Sequence, residues 1–359
     1  MGEAVLGILT NPMSGRDIRR LVAKASVFPT VEKANMVARM LTAAGVVGVD
    51  RVLLSTDVGG VSSAVLRALQ AHRAAVSRAT PDRAGREPRW PEVEFVGPPH
   101  HTQTAADSTE TIRRMIDAGA RVIVCLGGDG TARVSAAAVG EVPMLPISTG
   151  TNNAFPRIRE ATVAGLAAAL VAVEAVSVEL GTRRSTMLVV QAAGRTENAL
   201  VDVCVTRSPD IGSRALWDPA GLTELYCTFA EPDGIGLSSI AGQLCPSPRE
   251  LPTGVAVLLG PVPETSTAVL APIAPGLVLP VGVRSFRVLE VGETVTVETP
   301  HGTVAVDGER EIEFCGTDPP TVRLTADGPR CVDVTAVLTE AARTGLLVQR
   351  QHDRPRPPP

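Results

Sequence analysis

The first 160 residues alternate two hydrophobic rhythms. Short β-branched and aliphatic runs read as buried strands: "AVLGILT" (4–10), "VDRVLLS" (49–55), "EVEFVG" (92–97), "RVIVCLGG" (121–128) and "VPMLPIS" (142–148). Between them lie a stretch rich in Ala, Arg and Met up to Ala44, "SSAVLRALQAHRAAV" (62–76) and "TQTAADSTETIRRMIDAGA" (102–120), all with helical spacing. Strand and helix in this alternation require parallel pairing with helices on both faces. The expectation is an α/β fold whose N-terminal part is a doubly wound parallel-sheet domain.

Beyond Glu174 the rhythm shortens to two. "VSVEL" (176–180), "RSTMLVVQ" (184–191), "ALVDVCVTR" (199–207), "LTELYCTFA" (222–230), "GVAVLLG" (254–260), "GETVTVETP" (292–300), "GTVAVD" (302–307), "REIEFCG" (310–316) and "TVRLTA" (321–326) read as short strands parted by Gly and Pro. They imply an antiparallel, sandwich-like β domain. "VTAVLTEAARTGLLVQR" (334–350) then returns to helical spacing, and "RPRPPP" reads as a disordered tail. The expected organisation is an α/β domain over 1–160, a β domain over 174–330, a helix within 331–350 and a tail over 351–359.

Composition narrows the function classes. A net charge of -4 over 359 residues argues against general affinity for nucleic acid or anionic membrane. The lysines are Lys24 and Lys33 alone, so cationic work falls to arginine, which suits planar contacts with phosphate or carboxylate. None of the six cysteines forms a CxxC pair, and several sit in apolar runs, so reduced buried thiols in a cytoplasmic protein are expected. The window "ATVAGLAAALVAVEAVSVEL" (161–180) is interrupted by Glu174 and reads as a packed helix running into a strand, not a membrane span.

The candidate chemistry sits where strands end. In "CLGGDGTARV" a buried strand stops at Leu126; Gly127, Gly128 and Gly130 leave backbone N–H groups uncovered, and Thr131 opens a helix whose dipole faces the same space. This is an anion cradle without the Lys of a Walker loop, and Arg133 stands where a dinucleotide fingerprint needs a small residue. Asp129 inside the cradle would repel a phosphate. It makes sense if Mg²⁺ bridges the two or if it accepts a proton from an attacking hydroxyl, and otherwise as a capping Asp in a tight turn. "TGTNNAFP" follows the next strand with Thr149, Gly150, Thr151, Asn152 and Asn153, and "TNPMSG" follows the first with Asn11, Ser14 and Gly15. Arg133 and Arg157 flank two of these loops and read either as phosphate clamps or as surface charge. His100 and His101 in "GPPHHT" read as an exposed loop.

"NPMSG", "GGDGT", "GTNNAF" and "VAVDGE" together resemble the superfamily joining ATP-NAD kinases with diacylglycerol and sphingosine kinases. "GTNNAFP" with "EPDGIGLSSIAG" is most similar to its acetoin catabolism protein X branch. The resemblance implies ATP phosphates held by Gly127, Gly128, Gly130 and Thr131, with Asn11 and Ser14 bordering the nucleotide. Asp129 would orient the acceptor hydroxyl or the metal, and Glu309 of "DGE" would act as base or metal partner. Asp202, Asp233 and Gly234 would meet the acceptor, with Asp233 read otherwise as shaping a Pro-Asp-Gly turn. ATP and Mg²⁺ are the implied cofactors, a small-molecule hydroxyl (NAD or a relative) the acceptor, and a homo-oligomer the assembly; the resemblance also implies that the last helical segment, 331–350, returns to the first domain. Read without the family, "AVDGERE" is a hairpin turn. The pattern departs at Val201, where NAD kinases carry Asn, and at Ala154, where lipid kinases carry Asp. These departures motivate an alternative, a nucleotide- or NAD-binding regulatory protein without turnover.

Overall fold

The computed structural model describes residues 2–15, 24, 28–78, 89–150, 152–211, 215–216, 218–316 and 318–348. Thr151 and the expected tail lie outside the described residues.

Five parallel strands build the first sheet: β1 (Val5–Thr10), β2 (Arg51–Ser55), β3 (Glu92–Val96), β4 (Ala120–Gly127) and β5 (Met144–Ser148), in the order β3-β2-β1-β4-β5. Helices α1 (Thr30–Val47), α2 (Val61–Arg78), α3 (Ala105–Asp117) and α4 (Asp129–Val139) make the crossovers. The order reverses between β1 and β4, so their carboxyl ends border the crevice where such sheets take ligands. β1 is buried throughout, which is why it reads as a continuous apolar run.

The apolar window at 161–180 forms helix α5 (Ala161–Ala172), buried on nearly every side. Small residues let α5 approach α1 closely: a Cβ on Gly165 would stand 2.9 Å from the Met40 Cα. "VSVEL" is not the expected strand. Ser177 accepts from the Leu180 amide and caps the short helix α6 (Val178–Gly181), so local capping outweighs β-branched propensity. No helix among the described residues is long and apolar enough to cross a membrane.

Two antiparallel sheets form the second lobe. The larger is built from β9 (Asp202–Thr206), β10 (Leu222–Cys227), β11 (Thr253–Gly260), β12 (Thr267–Ala274), β13 (Leu277–Glu290), β15 (His301–Val306) and β16 (Glu309–Cys315). Its order is β12-β13-β11-β10-β9-β15-β16. The smaller joins β7 (Met187–Ala192), β8 (Arg195–Ala199), β14 (Thr294–Thr296) and β17 (Thr321–Thr325) in the order β14-β17-β7-β8. A short helix, α7 (Ser238–Gly242), packs on the larger sheet. Alternation along β9 sends Val203 and Val205 into the core between the sheets and Cys204 into the core on the opposite face.

The lobes do not divide at the expected boundaries of 174 and 330. β6 (Thr182–Arg184) and β18 (Arg330–Val332) extend the first sheet, with β18 beside β5, and helix α8 (Val334–Thr344) packs on α5. Val332, Val334, Val337 and Ala341 share one core with β1, β2 and α5, so burial of a late apolar stripe draws the chain back.

The α5–α1 contact has a direct test. Gly165→Val should lower unfolding free energy by about 1–3 kcal/mol through overpacking, read as a lower urea midpoint with unchanged slope.

Candidate functional site: a cleft between the two lobes

A cleft of about 1520 Å³ separates the carboxyl edge of the parallel sheet from the β lobe. Asn11, Ser14, Gly15, Gly128, Asp129, Gly130, Thr131, Gly150, Asn152 and Asn153 all line it. Gly127 and Thr149 stand immediately behind. A Cβ on Gly127 would lie 2.4 Å from the Thr131 side chain, and the fully buried Thr149 amide donates to the Gly127 carbonyl at 3.0 Å.

Side chains tie the three loops together. Asn11 Nδ2 donates to Thr131 Oγ1 at 2.8 Å, the Ser14 and Thr149 hydroxyls are 2.6 Å apart, and Asn153 Nδ2 donates to Ser148 Oγ at 2.8 Å. Gly128 has no room for a side chain, since a Cβ would stand 2.7 Å from Asn153 Oδ1. Lys33, 1% exposed, donates from Nζ to the carbonyls of Asn11, Pro12 and Ser14 at 2.9, 3.1 and 2.9 Å. This lysine is absent from the sequence-predicted site. The one signal that marks it is a charge on the apolar stripe of α1 shared with Met36, Val37 and Met40.

Asp129 occupies the first turn of α4, behind the N-cap Gly128. Its Oδ1 accepts from the Phe155 amide at 2.8 Å, and the Ala154 amide reaches both carboxylate oxygens at 3.1 Å. The acid therefore bridges the second loop to the third and still borders the cleft. Glu309 faces it from the β lobe, 3.9 Å from where a Cβ on Gly130 would sit.

The "VAVDGE" segment is the hairpin turn between β15 and β16, with Asp307 and Gly308 left-handed at φ 49° and 75°. It also carries site groups. The buried Asp307 carboxylate accepts from the amides of Leu200, Val201 and Asp202 at 3.0, 2.8 and 3.3 Å. Burial and the neighbouring Asp202 push its carboxyl up to about 8, against the pull of the Val201 amide and Arg133.

The other candidate residues fall outside the three loops. Asp202 is 4% exposed, receives the Cys204 thiol at 3.6 Å and borders a small pocket of about 20 Å³ that adjoins the main cleft at Asp129, Asn152 and Asp307. Asp233 and Gly234 lie in the turn closed by the Gly234 amide on the Glu231 carbonyl at 3.0 Å, away from the cleft-lining residues. Arg133 is not a surface charge: it lines the cleft and is largely buried. Its guanidinium spans the lobes to Glu311 at 3.0 Å, Asp307 at 3.8 Å and Glu197 at 3.9 Å. Arg157 pairs with Glu231 at 2.8 Å. His100 and His101 are both exposed, and His101 borders the cleft with Nε2 3.2 Å from Thr56 Oγ1.

Arg249 has no sequence signal at all, since nothing local in "PSPRE" marks it. It donates to the Phe155 and Ala154 carbonyls at 2.9 Å each, grips both Glu231 oxygens at 2.9 and 2.8 Å, and stacks 4.3 Å over the Phe229 ring.

The raised Asp307 pKa sets a pH dependence. The native state holds this proton to higher pH than the unfolded chain, so the stabilisation is complete below the ordinary Asp value of 3.8 and is lost as pH rises through about 8. Asp307→Asn keeps an acceptor for the amides, tolerates the left-handed backbone and does not titrate. Its melting midpoint should fall less steeply than the wild type's between about pH 5 and 8 in calorimetric scans.

Known proteins resemble the chain over both lobes. The ATP-NAD kinase N-terminal domain family matches residues 6–175, and the acetoin catabolism protein X C-terminal domain family matches residues 186–327. A yeast NADH kinase solved in complex with NADH aligns over 99% of this chain and 91% of its own, at 13% identity and a TM-score of 0.49. Acetoin catabolism protein X of Cupriavidus necator is 38% identical over 348 residues, 96% of this chain and 94% of that protein. Across both lobes, then, the chain belongs to the acetoin catabolism protein X family, with an N-terminal domain of the ATP-NAD kinase type.

Proposed function

We propose that the protein is an ATP-dependent kinase that transfers a phosphoryl group to a hydroxyl of NAD or a related small molecule. One observation carries the reading: a carboxylate, Asp129, at the cleft floor where three loops after parallel strands meet the N-terminus of α4. The α4 dipole and the uncovered amides around Gly128 and Gly130 suit the phosphates of a nucleotide. Gly128 supports that role, because its missing side chain is required by Asn153 and leaves the backbone bare.

Asp129 and Glu309 approach the same space from opposite lobes. Asp129 orients the acceptor hydroxyl and takes its proton as the new O–P bond forms and the bond to the leaving ADP breaks. Glu309 serves as a second acceptor or as a metal partner. No group of three or more His, Cys, Asp or Glu side chains able to hold a metal ion occurs among the described residues. Mg²⁺ binds through substrate phosphates plus one or two carboxylates, a number that Asp129 and Glu309 would supply. When bound, it would neutralise phosphate charge beside Asp129 and Glu309.

A second reading has support of its own. Asp233 and Gly234, two of the expected acceptor contacts, do not line the cleft, while Asp202 reaches only the small pocket that adjoins it at Asp129. A nucleotide- or NAD-binding regulatory protein without turnover would tolerate that loss. The relative's name ties the C. necator protein to acetoin catabolism, so acetoin belongs among the acceptors to be tried.

The deciding measurement is product mass after incubation with MgATP and a panel of NAD, NADH, acetoin and small polyols. A phosphorylated acceptor is expected; nucleotide binding by calorimetry with no ADP formed on any of them would favour the regulatory reading. Asp129→Asn should keep ATP binding and the fold while turnover falls about 100-fold or more. Retained turnover in that variant removes Asp129 from the chemistry. Glu309→Gln should lower kcat by about tenfold or more with little change in KM for ATP.

A further inference from the structure

We propose that Arg249, in the β lobe, is the positioning residue for Asp129 and acts on it through a single peptide group. This rests on the kinase reading for its functional consequence, but not for its geometry. The Ala154 carbonyl accepts from Arg249 Nη2 at 2.9 Å. The same peptide unit ends in the Phe155 N–H, which donates to Asp129 Oδ1 at 2.8 Å. Guanidinium, carbonyl, amide and carboxylate thus stand in series, with the peptide dipole aligned between opposite charges. A hydrogen bond at one end polarises the group and strengthens the bond at the other. The next carbonyl, of Phe155, takes Arg249 Nη1 at 2.9 Å, so the loop cannot pivot about one contact.

The arginine is itself immobilised. Nε and Nη2 meet the two Glu231 oxygens at 2.9 and 2.8 Å in a fork, and the ring of Phe229 closes one face. Burial would raise the Glu231 carboxyl, yet Arg249 and Arg157 hold it below its ordinary range, so the fork keeps its charge at neutral pH. Glu231 opens the "EPDG" turn, and that turn thereby delivers the counter-ion that aims Arg249. Lysine, a point charge without a planar fork, does not reproduce the arrangement. Because Arg249 and Glu231 belong to one lobe and Asp129 to the other, the carboxylate is aimed only when the lobes are docked.

The test uses the full chain and two readouts. In the first, Arg249→Met should lower kcat about 10–100-fold with KM for ATP within about twofold, the cost of a misplaced catalytic group. Added methylguanidine should restore part of the rate, and Arg249→Lys should fall between. In the second, amide exchange at Phe155 is followed in Asp129→Asn, Arg249→Met and the double variant. Each single change should speed exchange, and the double variant should exchange scarcely faster than either, because both act on one series of bonds. Wild-type kcat in Arg249→Met, or a rate loss that methylguanidine leaves untouched, would overturn the proposal. So would additive exchange effects, which would make Arg249 merely a tie between lobes. If the wild type turns over no acceptor, the kinase reading fails, and the exchange cycle alone decides whether Arg249 aims Asp129.

Discussion

Loops that leave the ends of buried strands carry backbone oxygens that water cannot reach, and each must find a donor. In this protein cations from outside the loops supply them. Lys33, held on the apolar face of α1, collects the carbonyls of Asn11, Pro12 and Ser14. Arg249, sent across from the β lobe, collects those of Ala154 and Phe155. With those oxygens satisfied, the first and third loops hold fixed shapes, and the glycine turn at 127–130 sits between them.

The second constraint is electrostatic. Arg133 projects from α4 toward three carboxylates of the β lobe, and its charge is what allows Glu311, Glu197 and Asp307 to gather at that wall. Apolar contact accompanies it: Leu200, Val201 and Phe229 share a core with Ala132 and Phe155. The lobes are therefore joined by packing around a charged centre, and the cleft opens beside that junction. The Asp202–Asp307 pair, buried behind it, is held by amides of the segment 200–202 and by the left-handed backbone at Asp307.

Asp129 shows how one residue can carry several readings at sequence level. A capping role, a metal role and a base role are all compatible with "GGDG". In three dimensions its carboxylate bonds to amides of the neighbouring loop, a contact between residues 25 and 26 positions apart. The hairpin reading and the site reading of "VAVDGE" also stop competing. The turn is real, and its left-handed geometry is what points Asp307 inward and places Glu309 at the cleft.

What the amino-acid order determined by itself was the period of each segment and the chemistry of each turn. Alternation of strand and helix, then of strand and strand, is local, so the two architectures and the three glycine- and asparagine-rich loops were legible in advance. What only the tertiary structure decided was every contact that depends on distant partners. The return of Arg330–Val332 to the first sheet, the pairing of Asp202 with Asp307, the capture of Arg133 by Glu311 and the reach of Arg249 to Ala154 join residues dozens to hundreds of positions apart. A side chain's hydrogen-bonding capacity is written in its type, but its partner is chosen by the packing of two lobes, and no local period records that choice.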